Sequence, residues 1–286
     1  MGIIAVIFDY DDTIVPDTIT QLLEYHRIDV HKFWESDFKK KVEQGFCPTH
    51  AYLNLILNYI GKKKPLGALT NKNLRKFGKV AAKMQYSGLH GLIRDLKNIR
   101  EKYRDLEIEF YIISGGLEEI IKGNKFVYDN FSGIYGCRLY GKNEKGTLKY
   151  IKRAITFTEK TRYLFEINKG IIPEESDRDP SAVNKHVNMH DRRVPFKNML
   201  YIGDGLTDIP CFSLVNQNEG TSFGILHTER TASVKIKILE DILKTKRTVG
   251  AYAPRYGKKE PLGDLIRLTV EKIAADNFIT KKSLGR

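Results

Sequence analysis

Residues 3–13 read IIAVIFDYDDT, an apolar run that stops abruptly at the carboxylates Asp9, Asp11 and Asp12. The β-branched, unalternating run Gly2–Phe8 predicts a strand buried on both faces, as in a parallel sheet. Asp9 and Asp11 are two positions apart, so at an extended strand end their side chains share a face and Tyr10 points away. Two carboxylates on one face repel unless a cation sits between them, and Mg2+ is the common answer. Acidic strand ends also serve simply as turns and helix caps.

Two more apolar runs end in chemistry. Residues 108–113 stop at Ser114, Gly115 and Gly116, a hydroxyl and permissive backbone amides beside a helix start, which suits a phosphate. Residues 199–202 stop at Gly203, Asp204 and Gly205, with Asp208 four positions after Asp204. The glycines let both carboxylates turn to one point, although Gly-Asp-Gly is also a common turn. A weaker strand is expected at 223–226. Strands separated by helical text predict an α/β fold with a parallel sheet. In such sheets ligands bind beyond the carboxyl ends of the strands, where these three groups lie.

Between the first two strands, residues 17–104 read as helical. Tyr52, Leu53, Ile56, Leu57 and Ile60 make a one-face stripe ending at Gly61, and further helices are expected at 71–84 and 89–103. Segments 134–140 and 147–157 flank the polar turn 141–146 as a hairpin. A helix is expected at 161–169, a charged surface excursion at 173–191, and an amphipathic helix at 261–276.

The composition is that of a folded soluble chain: 286 residues, 41% hydrophobic and 29% charged, enough for about two domains. No apolar run approaches the roughly 18 residues that cross a bilayer, and the apolar start is too short for a signal peptide. A cytoplasmic protein without membrane contact is therefore expected. Cys47, Cys137 and Cys211 are too dispersed for a disulfide framework or a zinc pattern. The net charge of +13 is uneven: residues 230–286 carry 14 Lys/Arg against 6 Asp/Glu. Such a surface attracts polyanions, or merely keeps the chain solvated.

Taken together and in this order, the three strand ends resemble the haloacid dehalogenase-like (HAD) hydrolase superfamily, specifically its Mg2+-dependent phosphatases of the phosphoserine phosphatase type. Its D-x-D-x-T is matched by Asp9, Asp11 and Thr13, its strand-terminal Ser or Thr by Ser114, and its G-D-G-x-x-D by Gly203, Asp204, Gly205 and Asp208. Its lone lysine at a helix start is matched in position by Lys160. Asp12 stands where many members have Gly. The likeness runs from the first strand to about Leu226.

The resemblance implies a Rossmann-like three-layer α/β core at 1–16 and 105–286, with 17–104 inserted as a helical cap of the C1 type. It implies hydrolysis of a phosphomonoester, with Asp9 as nucleophile forming an aspartyl-phosphate and Asp11 as general acid and base. Mg2+ would be held by Asp9, the backbone carbonyl of Asp11, and Asp204, with Thr13 and Asp208 supporting them. Ser114, the Gly115 amide and Lys160 would hold phosphate oxygens. Lys185 is the rival for the lysine, being nearer Asp204 in sequence; Lys145 and Lys169 are weaker alternatives. The expected substrate is a small phosphorylated molecule. A phosphatase of nucleic-acid ends, or a catalytically silent polyanion-binding protein, would also use the basic charge.

Overall fold

Strand β1 (Gly2–Phe8) lies in the middle of a sheet whose order is β4-β3-β2-β1-β5-β6-β7. The computed structural model describes residues 2–142, 146–227, 240 and 248–283. The other strands are β2 (Leu106–Leu117), β3 (Gly133–Gly141), β4 (Leu148–Arg153), β5 (Met199–Gly203), β6 (Thr221–Ile225) and β7 (Ala251–Tyr252). Every pairing is parallel except β3 with β4, which is antiparallel. The chain runs outward from β1 through β2, β3 and β4, then returns to β5 on the other side of β1. The strand order therefore reverses between β1 and β5, and such a switch point opens a crevice beyond the carboxyl ends.

Helices α1 (Thr18–Tyr25), α2 (Lys39–Glu43), α3 (Pro48–Asn58), α4 (Asn71–Ala81) and α5 (Leu89–Lys102) lie between β1 and β2 in the chain, with a π-helix at Lys32–Phe38. The short helices α6 (Glu118–Ile121) and α7 (Lys125–Asn130) follow β2. Helices α8 (Glu159–Lys169) and α9 (Pro173–Arg178) precede β5, α10 (Ile209–Gln217) follows it, and a long helix occupies Pro261–Ser283.

The alternation of β1 explains its continuous apolar text. Ala5 and Ile7 face a core shared with Tyr163 and Leu164 of α8 and Cys211 and Phe212 of α10. Ile4, Val6 and Phe8 face the opposite core, with Ile266 and Val270 of the helix Pro261–Ser283. Leu92, Ile93 and Leu96 of α5 also pack in that second core, so this helix of the 17–104 block lies on the sheet.

Several boundaries differ from the sequence expectation. β2 continues through Ser114 to Leu117, because an irregularity in its pairing with β3 lets it pass the glycines. The helix expected after it is two short ones, broken at Gly123 and Asn124. β4 stops at Arg153 rather than 157. Helix α8 starts at Glu159, which puts Lys160 inside its first turn. The last helix runs to Ser283, past the expected 276. β7, only two residues long, has too little text to be read as a strand. Among the described residues no helix is long and apolar enough to cross a membrane.

Candidate active site

Asp9 leaves β1 at the switch point. Its N–H donates to the Ile202 carbonyl of β5 at 2.8 Å, which extends the β1–β5 ladder and fixes the carboxylate at the crevice. Tyr10 turns the other way, fully buried in the second core, where Asn124 Nδ2 donates to its hydroxyl at 3.3 Å. Tyr10 thus points away from Asp9, as alternation along extended backbone requires.

Lys160, 1% exposed, points from the first turn of α8 into the same crevice. Its ammonium donates to Asp9 Oδ2 at 2.9 Å, Asp208 Oδ1 at 2.7 Å and Thr207 Oγ1 at 3.4 Å. Asp208 is held in turn by the Tyr201 hydroxyl at 2.7 Å and the Gly205 N–H at 3.2 Å. Lys185, by contrast, is exposed, and its carbonyl accepts from Lys169 Nζ at 2.8 Å. Lys145 lies outside the described residues.

Charge in this crevice is shaped by burial. Burial raises the Asp9 carboxyl to about 6, and Lys160 offsets part of that rise. For Lys160 burial works against the charge, but Asp208 and Asp9 more than compensate and hold its pKa above the ordinary lysine value. Among the described residues, no lysine or arginine pairs with Asp11 in this way. Burial, reinforced by Asp17, holds its carboxyl well above the usual carboxylate range.

The Asp11 carboxylate faces the helical block. Its Oδ1 accepts from the Thr18 N–H at the start of α1 at 2.8 Å. Its Oδ2 lies 2.1 Å from where a Cβ on Gly116 would sit, so only glycine admits it there. Ser114 is fully buried, and its Oγ accepts from the Gly116 N–H at 3.0 Å. Thr13 is fully buried; its carbonyl accepts from the Tyr256 hydroxyl at 2.7 Å, and its own hydroxyl has no partner among the described residues. Asp12 sits at φ 55°, in the left-handed region where glycine is the unstrained residue and Asp is tolerated.

Carboxylate oxygens of Asp9, Asp204 and Asp208 lie within 4.8 Å of one another. Two of them, Asp9 and Asp208, share a single ammonium. An all-oxygen, carboxylate-rich set of this kind fits a hard divalent cation such as Mg2+. The Asp11 carboxylate is not in this group. Three residues around the site escaped sequence reasoning: Thr207, Tyr201 and His227. Thr207 lies inside the stretch matched to G-D-G-x-x-D, but Tyr201 reads only as part of an apolar strand. His227 lies just beyond β6, with Nε2 2.6 Å from the Asp12 carbonyl, and nothing in its local sequence marks it.

No family model matches the chain. An uncharacterized protein of Borreliella burgdorferi is 28% identical over 238 residues, 75% of this chain and 79% of its own length. Among solved structures, a HAD-family hydrolase from Salmonella enterica serovar Typhi superposes with a TM-score of 0.50 at 14% identity, over 82% of this chain and 64% of that one. The chain thus spans somewhat less than two thirds of that protein. A probable phosphoserine phosphatase from Vibrio cholerae superposes with a TM-score of 0.54 at 12% identity, over 96% of this chain and 67% of that one. At such identities the likeness is one of three-dimensional architecture: this chain has the α/β fold of the HAD hydrolases.

Proposed function

We propose that this protein is a Mg2+-dependent phosphatase that hydrolyses a small phosphomonoester through an aspartyl-phosphate on Asp9. The observation that carries the reading is the Lys160 ammonium bridging Asp9 and Asp208 at the switch point of a HAD-type sheet, with Asp204 beside them. The elements from Thr18 to Ala81 would form the cap, with α5 belonging to the core because it packs on the sheet.

In the first step Asp9 attacks phosphorus, the bond to the ester oxygen breaks, and Asp11 gives its proton to that oxygen. Burial and the neighbouring Asp17 favour the protonated form of the Asp11 carboxyl, the form that a donor must have. In the second step a water attacks the aspartyl-phosphate and returns its proton to Asp11, releasing phosphate and restoring Asp9. Ser114, the Gly115 N–H and Lys160 would hold the phosphoryl oxygens from substrate binding through to transfer. Asp9, Asp204 and the Asp11 carbonyl would hold Mg2+, with Asp208 orienting; bound there, the cation would supply Lewis-acid neutralisation of negative charge.

The test is phosphate release from a panel of small phosphate esters, with a phosphorylated oligonucleotide included. Turnover of at least one small ester is expected in Mg2+, with loss in EDTA and recovery on readdition of Mg2+. Release from no small ester, or full activity in chelator, would overturn the reading. A further expectation concerns Gly116→Ala, whose Cβ needs the space that Asp11 Oδ2 occupies. This variant should fold, at a cost of about 1–3 kcal/mol. Displacing the acid should cost about 10²-fold in kcat. Steady-state kinetics on a variant of verified fold checks this, and an unchanged kcat would remove Asp11 from its role.

A further inference from the structure

Strands β2 and β3 fall out of step across 114–116: Ile113 pairs with Tyr135 and Leu117 with Cys137, so three residues of β2 face only Gly136. A bulge withdraws its backbone groups from the ladder, so other contacts must orient them. At the Gly115 carbonyl those contacts are side chains. It accepts from the Tyr52 hydroxyl at 2.5 Å and from the Cys137 thiol at 3.1 Å. Tyr52 belongs to α3, far outside the three strand-end motifs, and is 8% exposed. Three residues earlier on the same helix, Thr49 Oγ1 donates to the Ile155 carbonyl at 3.2 Å, so α3 also grips the stretch that leads to Lys160. Burial raises the Tyr52 phenol well above its ordinary pKa and pushes the Cys137 thiol up to about 11, so both stay protonated donors.

A peptide unit is planar and trans, so its carbonyl and the following N–H point to opposite sides. Fixing the Gly115 carbonyl therefore aims the Gly116 N–H the other way, where it donates to Ser114 Oγ at 3.0 Å. An oxygen that accepts this bond keeps its own proton to donate elsewhere. We propose that Tyr52 is a positioning residue for phosphate binding: through the 115–116 peptide it holds the Ser114 hydroxyl with its proton directed to a phosphate oxygen. The helical insertion thereby completes the phosphate site in addition to covering it. The inference rests on the phosphatase reading above.

The test is orthophosphate binding in Mg2+ by titration calorimetry, with kcat and KM for an ester the parent hydrolyses. Tyr52→Phe keeps the ring and removes the donor. It is expected to raise the orthophosphate Kd and the KM by up to about tenfold, with kcat changed far less, as for loss of one hydrogen bond made equally in ground and transition states. In a Ser114→Ala background Tyr52→Phe should add nothing, because its effect passes through Ser114. Additive effects, or unchanged Kd and KM with only a lowered melting temperature, would overturn the inference. Should Tyr52→Phe not fold, Cys137→Ala removes the second donor to the same carbonyl and is held to the same two outcomes. A parent that neither binds orthophosphate nor hydrolyses any ester overturns the phosphatase reading itself, and this inference with it. A parent that does both, with a silent Tyr52→Phe, overturns only the inference.

Discussion

Asp9→Asn is expected to lower turnover by at least about 10³-fold, the scale on which a lost nucleophile is felt. The amide cannot form a phosphoryl bond that water then releases, and it brings no charge to a cation. The fold should survive, since the side chain keeps its shape at the end of β1 and Lys160 retains Asp208 at 2.7 Å. Circular dichroism and thermal melting check the fold, and phosphate release from a sample free of parent enzyme checks the chemistry. Activity within tenfold of the parent would contradict the assignment of Asp9.

Lys160→Met should damage both stability and function. Its ammonium, 1% exposed, is the shared partner of two carboxylates that are themselves buried. Removing one member of a buried ion pair leaves uncompensated charge and costs about 3–5 kcal/mol. With methionine there, Asp9 and Asp208 face each other without that cation, and the site also loses a donor for the phosphoryl oxygens. A drop in the midpoint of denaturant unfolding with an unchanged slope is the expected result, together with loss of turnover. A variant as stable as the parent would show that the Lys160 charge is offset elsewhere.

Much of this site could be read in the sequence because it is built from strand ends. A parallel sheet aligns its carboxyl ends, so Asp9 and Asp204, nearly two hundred residues apart, come together once the strands are recognised. The position of Lys160 followed from its place between a hairpin and a helix. Contacts made across the fold by residues of ordinary text could not be read. Tyr52 sits in an apolar stripe that forecasts its burial and says nothing of where its hydroxyl goes. His227 reaches the Asp12 carbonyl from just beyond the five-residue strand β6. Helix α5 carries the same amphipathic signal as its neighbours, and periodicity alone does not say which apolar surface it meets; it met the sheet. Part of the basic region 230–286 lies outside the described residues, which include residue 240 and residues 248–283 of it.

The most direct test of the central claim is to look for the covalent intermediate. Enzyme mixed with a turned-over phosphate ester and Mg2+ is quenched in acid within a single turnover, digested, and its peptides are weighed by mass spectrometry. The account requires one added phosphoryl group on the peptide containing Asp9, absent in Asp9→Asn and discharged when the reaction proceeds before the quench. Rapid phosphate release with no adduct at Asp9 at any quench time, or an adduct on another residue, would contradict it.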